Sequence, residues 1–180
     1  MSAPAPEFSR PFPLAQLTAA PEHVSIAASA AECRRLADRC GLLGLAALNA
    51  ELDLRRGPLG EVEVAGALVA QVTQECVVTL EPFTATVEDR FDLRFAPGPA
   101  PTGDLVIEAG AEEPPEPLEG DALDLGEIVA GQLALALDPH PRAPGAEPPA
   151  PMAADEAGEA PPQRPFEGLD RLLAQKSRRG

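Results

Sequence analysis

Two neighbouring stretches restrict this chain more than any other feature. Between Val62 and Leu80, VEVAGALVAQVTQECVVTL, the even positions carry Val62, Val64, Leu68, Ala70, Val72, Cys76, Val78 and Leu80, while Glu63, Gln71, Thr73, Glu75 and Thr79 occupy odd ones. Between Phe83 and Phe95, FTATVEDRFDLRF, the apolar set is Phe83, Ala85, Val87, Phe91, Leu93 and Phe95, with Thr84, Thr86, Glu88, Arg90, Asp92 and Arg94 interleaved. A period of two puts alternate side chains on opposite faces of a strand, so each run has one dry and one wet side. Such strands belong to an antiparallel sheet covered on one face. The join, Thr79-Leu80-Glu81-Pro82, is short enough for a hairpin, and Pro82 sits at a strand start, where its missing N–H costs least.

The flanking segments supply the cover. Ser29 to Cys40 reads as a helix: Ser29 and Glu32 form a capping box, and Gly41 provides a left-handed end. Its stripe is Ala30, Cys33, Leu36, Ala37 and Cys40. A second helix is predicted over Asp124–Leu137, opening on Asp124-x-x-Glu127 and stopping before Pro139; its wide apolar stripe points to extensive burial. His23–Ala28 and Leu45–Arg56 again alternate with period two, and Gly57-Pro58-Leu59-Gly60 is a turn, so the strands on either side follow one another as a meander. Leu105 and Ile107 mark a weaker strand over Asp104–Ala109. The piece GAEEPPEPLEGD, residues 110–121, reads as acidic, proline-rich loop.

The ends are of a different kind. Residues 1–20 form an extended arm, in which Pro11 and Pro13 forbid a helix and Phe8, Phe12, Leu14 and Leu17 are available to lie on the body. Nine of the 22 prolines fall between Pro139 and Pro165, so 139–163 reads as a disordered linker. Residues 164–180 carry Phe166, Leu169, Leu172 and Leu173 at helical spacing and a basic end in Lys176, Arg178 and Arg179. A helix this short needs a partner to fold on.

Charge narrows the function classes. Residues 1–140 hold 23 Asp and Glu against eight Arg, the whole of the net −15, whereas 141–180 hold six charges of each sign. So acidic a body is repelled by bare nucleic acid and suits basic protein partners. The three cysteines make no disulfide framework, no leader pattern opens the chain, and no apolar run reaches the roughly 18 residues of a membrane span; the expectation is a reduced, cytoplasmic protein.

No catalytic constellation emerges. Cys33, Cys40 and Cys76 lack close ligand spacing and read as core thiols, and neither His23 nor His140 is tied by a motif to any of them. The acidic pairs Glu61 with Glu63, Glu88 with Asp89, and Glu112 with Glu113 read as solvated charge. Glycine pairs sit in proline-containing turns, not at strand-to-helix junctions where phosphates are cradled.

Four segments in order, EFSRPF at 7–12, VTQECVVTLEPF at 72–83, LDLGEIVAGQLALALDPHPRAPGA at 123–146 and RPFEGLDRLL at 164–173, resemble the YceD family of large ribosomal RNA subunit accumulation proteins. The resemblance implies a role in large-subunit ribosomal RNA accumulation and ribosome assembly. Many relatives carry Cys-x-x-Cys at the hairpin and further cysteines towards the C-terminus, which suggests zinc. Here Cys76 matches the first position, Thr79 stands at the second, and PHPRAPGA has no cysteine. Zinc needs four such ligands.

The expectation is therefore an α+β domain over 21–138, with an antiparallel sheet of about five strands and two helices packed on it. It is preceded by the arm and followed by the linker and a short C-terminal helix. The expected role is non-enzymatic, without cofactor or metal, through binding a ribosomal protein or a large-subunit precursor particle. Candidate partner-binding residues are Gln74, Cys76, Thr79, Glu81 and Pro82 at the hairpin, Pro139, Pro141 and Arg142 after the second helix, and Phe166, Leu169, Lys176, Arg178 and Arg179 in the tail. The rival readings are a metal-dependent structural module and a small enzyme, the latter requiring a pocket of converging polar groups.

Overall fold

The computed structural model describes residues 6–18, 20–58, 60–98, 114–118 and 120–147. The expected strand at 104–109 and the whole segment 164–180 lie outside them. The chain runs β1 (Pro11–Pro13), a 3-10 turn (Leu14–Gln16), β2 (Glu22–Ala27), α1 (Ala30–Cys40), β3 (Gly44–Arg56), β4 (Val62–Glu75), β5 (Pro82–Pro97), β6 (Glu116–Leu118), β7 (Ala122–Asp124) and α2 (Leu125–Ala136).

The main sheet has the order β2-β3-β4-β5-β6. Its first four strands are an antiparallel set in which Leu52, Gly66 and Phe91 stand side by side, as do Leu54, Val64 and Leu93. The alternation works as the sequence implies. Leu48, Leu52, Leu54, Val62, Val64, Leu68 and Val72 are buried on one face, whereas Asn49, Glu51, Asp53, Glu63, Glu88, Arg90 and Asp92 are exposed on the other. Both helices lie on the dry face, since Cys33, Leu36 and Ala37 of α1 and Leu125, Val129, Ala130 and Leu133 of α2 join the same apolar cluster.

Helix α1 forms where the caps dictate. Ser29 Oγ accepts from the Glu32 N–H while the Glu32 carboxylate accepts from the Ser29 N–H, and Gly41 ends the helix at φ +65°. Such a reciprocal box satisfies two of the amides a helix start leaves open.

Four expectations need correction. β4 stops at Glu75, so Cys76–Glu81 is the turn and the alternation does not reach Leu80. Leu80 takes φ +59° and is 68% exposed, not inward. Residues 116–118, read as loop, form a strand that pairs parallel with Phe95–Pro97, so the sheet is mostly, not wholly, antiparallel. Three residues of such mixed character, Glu-Pro-Leu, hold no visible period. Glu88 and Asp89 do not form one solvated pair: consecutive strand residues face opposite ways, and Asp89 stands opposite Leu68 on the inner face, half-buried.

The arm is more tightly held than a surface extension. β1 pairs with β7, Phe12 lying opposite Leu123, and Phe8 and Leu17 are buried in the core. Asp124 caps α2 by accepting from the Gly126 and Glu127 N–H groups, and its carboxylate also accepts from Ser9 Oγ at 2.5 Å and the Arg10 N–H at 2.7 Å. The Arg10 guanidinium meets Glu32 at 2.7 and 3.0 Å and lies over the Phe8 ring, tying the arm to α1.

Candidate functional site

The hairpin residues and the segment after α2 come together at one end of the sheet. β4 delivers Gln74 and Glu75, the chain turns through Cys76–Glu81, and β5 begins at Pro82, paired with Glu75. The turn closes on its own backbone: the Cys76 N–H donates to Glu81 O at 2.9 Å and the Leu80 N–H to Cys76 O at 2.8 Å. The Glu81 N–H donates to Thr79 Oγ1 at 3.4 Å.

Against this turn lies the chain from Asp138 to Ala146. The Val77 N–H donates to Pro141 O at 2.9 Å, and Gln74 Nε2 to Asp138 O at 3.4 Å. Gln74, Cys76, Thr79, Glu81, Pro82, Pro139, Pro141 and Arg142 are thereby grouped, although they are far apart in sequence. A cleft of about 320 Å3 beside them is lined by Gln74, Phe83, Val87, Ala136, Asp138 and Arg142, among others. Phe166, Leu169, Lys176, Arg178 and Arg179 lie outside the described residues.

Cys76 organises the turn from inside. It is fully buried, and its sulfur accepts from the Thr79 N–H at 3.4 Å. The Thr79 side chain, then the backbone N–H groups of Ala143 and Thr79, favour the thiolate and outweigh burial, holding the thiol down at about 7. A ring of N–H donors around sulfur stabilises negative charge without a metal. Cys33 and Cys40, by contrast, are pushed up by burial.

The implied zinc does not fit these residues. Thr79 offers a hydroxyl where a thiol would be needed, and Ala143 meets the sulfur through its backbone. Among the described residues no group of three or more His, Cys, Asp or Glu side chains is placed to hold a metal ion. Tetrahedral structural zinc requires four ligands.

Two features escaped the sequence reading. Val77 and Leu80, 46% and 68% exposed, present apolar surface on the turn, whereas Cys76 supports it from beneath. Pattern alone assigned the opposite orientation to Leu80; the left-handed residue that flips it carries no glycine signal. The second is the pair of hollows between α2 and β5: the one at Phe83 and Val87, and an apolar one of about 540 Å3 at Leu93, Phe95, Leu123, Ile128 and Leu135.

No helix among the described residues is long and apolar enough to cross a membrane. No curated protein and no solved structure matches the chain. The family described as "Large ribosomal RNA subunit accumulation protein YceD" matches residues 64–173, a range that begins within β4 and takes in the turn and α2, leaving the arm segment 7–12 outside. With well over half its length so matched, the chain belongs to the YceD family of large ribosomal RNA subunit accumulation proteins.

Proposed function

We propose that this protein is a non-enzymatic cytoplasmic factor that supports accumulation of large-subunit ribosomal RNA by binding a basic ribosomal protein or a precursor particle that displays one. Family membership supplies the process. The observation that carries the mode of action is charge: residues 1–140 bear the entire net −15, and the wet face of the sheet displays Glu51, Asp53, Glu63, Glu88 and Asp92 against Arg55, Arg90 and Arg94. Phosphate backbones are repelled by such a body, and cationic protein surfaces are drawn to it. A non-enzymatic role is supported by the way the grouped polar atoms of the turn are engaged with one another. The basic tail, with Phe166, Leu169, Lys176, Arg178 and Arg179, adds contacts to the particle in this reading.

Co-sedimentation tests it. The full chain is expected in large-subunit precursor fractions at moderate salt and to leave them at high salt, as screening weakens charge attraction. A chain ending at Glu147 keeps the Asp138–Ala146 segment and reports how much binding the tail contributes. Persistent absence of the full chain from those fractions at every salt concentration overturns the reading.

A further inference from the structure

The cleft beside β5 combines three properties that a single kind of ligand satisfies. β5 is 16 residues long, and among the described residues its outer edge is paired only at Phe95–Pro97, by β6. Edge strands left open present backbone donors and acceptors to any extended chain, and proteins usually blunt them. Here the edge lies beside α2 with a hollow towards each end, one of about 320 Å3 and mixed lining near Phe83 and Val87, and an apolar one of about 540 Å3 near Leu93 and Ile128.

The helix side of the cleft is open as well. Gly131 faces it, and a Cβ built there meets nothing within 4 Å. Glycine inside a helix costs about 1 kcal/mol relative to alanine, so its use here leaves room at a price in helix stability. One turn further on, Leu135 is 79% exposed. The charge around the cleft is chiefly negative: Glu88 and Asp138 outnumber Arg142 at one end, and Glu116 lines the other, where Glu127 is already paired with Arg39 at 2.6 Å.

We infer that the β5 edge and the α2 cleft take up an extended basic peptide as an added strand, its apolar side chains filling the hollows and its Lys or Arg side chains meeting these carboxylates. This deepens the proposed function, on which it rests, by naming the form of the partner: an extended, alternating basic segment of a protein, not a folded surface. Strand addition supplies affinity through main-chain hydrogen bonds and specificity through alternate side-chain pockets.

The test uses the full-length protein and labelled peptides of about ten residues, the length of a long strand. One alternates Val or Ile with Lys, a second replaces Lys by Glu, and a third carries proline at alternate positions. The first is expected to bind and to slow amide exchange along residues 83–93. The acidic and proline peptides are expected to bind at least about tenfold more weakly, through loss of charge pairing and of main-chain bonds respectively. Gly131→Leu fills the cleft from a position with free space and is expected to weaken binding at least about tenfold, with amide exchange of unliganded α2 reporting that the helix is intact. Leu135→Glu serves as a second variant if Gly131→Leu unfolds: charge attraction is retained, the apolar contact is lost, and the complex is expected to be several-fold weaker. Protection by the basic peptide anywhere other than β5 and α2, or equal binding of all three peptides, overturns the inference. So does binding that appears only after deletion of residues 104–109, which would make the chain's own segment the occupant. Precursor co-sedimentation that survives Gly131→Leu overturns this inference while leaving the proposed function standing.

Discussion

Gly66 stands against the ring of Phe91, its cross-strand partner on the dry face. A Cβ added at Gly66 would overlap the ring tip, coming within 2.6 Å of Phe91 Cε2 and 2.8 Å of Leu52 Cδ2. The glycine is therefore part of the packing at the middle of the sheet, where a large ring fills the space its neighbour leaves. Gly66→Ala is expected to destabilise the fold by about 1–3 kcal/mol through overpacking, even though alanine is the better strand residue. Urea denaturation should show the loss, and combining it with Phe91→Leu should recover part of it, with a coupling of at least about 0.5 kcal/mol.

Arg10 and Glu32 join the arm to the start of α1, and their pairing sets an acid limit on stability. Hydrogen bonds from Arg10, then from Ser29, hold the Glu32 carboxyl at about 2, below its ordinary 4.5. A carboxylate depressed on folding contributes stability that is present above its unfolded value and lost as pH falls through its folded one. The window thus runs from about 4.5 down to about 2. Arg10→Gln is expected to cost about 1–2 kcal/mol near neutral pH, the pair being partly exposed, and progressively less across that window. Chemical denaturation of both proteins along a pH series checks it; a difference that stays constant into strong acid would refute the assignment.

The parts of this fold that could be read from the sequence are those fixed by local chemistry. Ser29 with Glu32 and Gly41 announced α1 at both ends, and parity sorted Val62 to Val72 onto one face because a strand has no other way to place them. Legibility failed where a long-range contact decides. Cys76, Val78 and Leu80 continue the alternation on paper, but the turn is set by the Asp138–Ala146 segment, from which Pro141 accepts the Val77 N–H. Likewise Glu116–Leu118 becomes a strand only because the end of β5 offers it a partner, and Asp124 was legible as a helix cap but not as the anchor of Ser9 and Arg10. The grouping of the hairpin residues with Pro139–Arg142 followed no local signal; their joint occurrence in one family was the only trace of it.

Gly126 controls how closely the arm can approach α2. A Cβ there would lie 2.6 Å from Phe8 O and 2.9 Å from Phe8 C, backbone atoms that cannot swing aside. Gly126→Ala should favour the helix by propensity yet push the arm off it, disturbing buried Phe8 and the bonds from Ser9 and Arg10 to Asp124. The expected outcome is faster proteolysis and amide exchange over residues 7–13, with a net destabilisation of about 1–3 kcal/mol by overpacking. Unchanged exchange in the arm would show that the contact yields without consequence.

The buried thiol of the turn should titrate apart from the other two. Cys76 is lowered from 9.0 to about 7, first by the Thr79 side chain and then by the backbone of Ala143, while burial raises Cys33 and Cys40. Because the folded value is the depressed one, the thiolate's contribution to the turn is complete above about 9 and is lost as pH falls through about 7. Ultraviolet thiolate absorbance of the native protein should therefore show a first step near 7 that disappears in Cys76→Val. Thr79→Val deletes the hydroxyl but keeps the backbone donor, and should move that step upward without removing it. Protection of the Thr79 and Ala143 amides, corrected for intrinsic exchange, should rise through the same step in the unaltered chain and stay flat in Cys76→Val. If the step belonged to Cys33 or Cys40, Cys76→Val would leave it in place, and the N–H ring around this sulfur would have no electrostatic consequence.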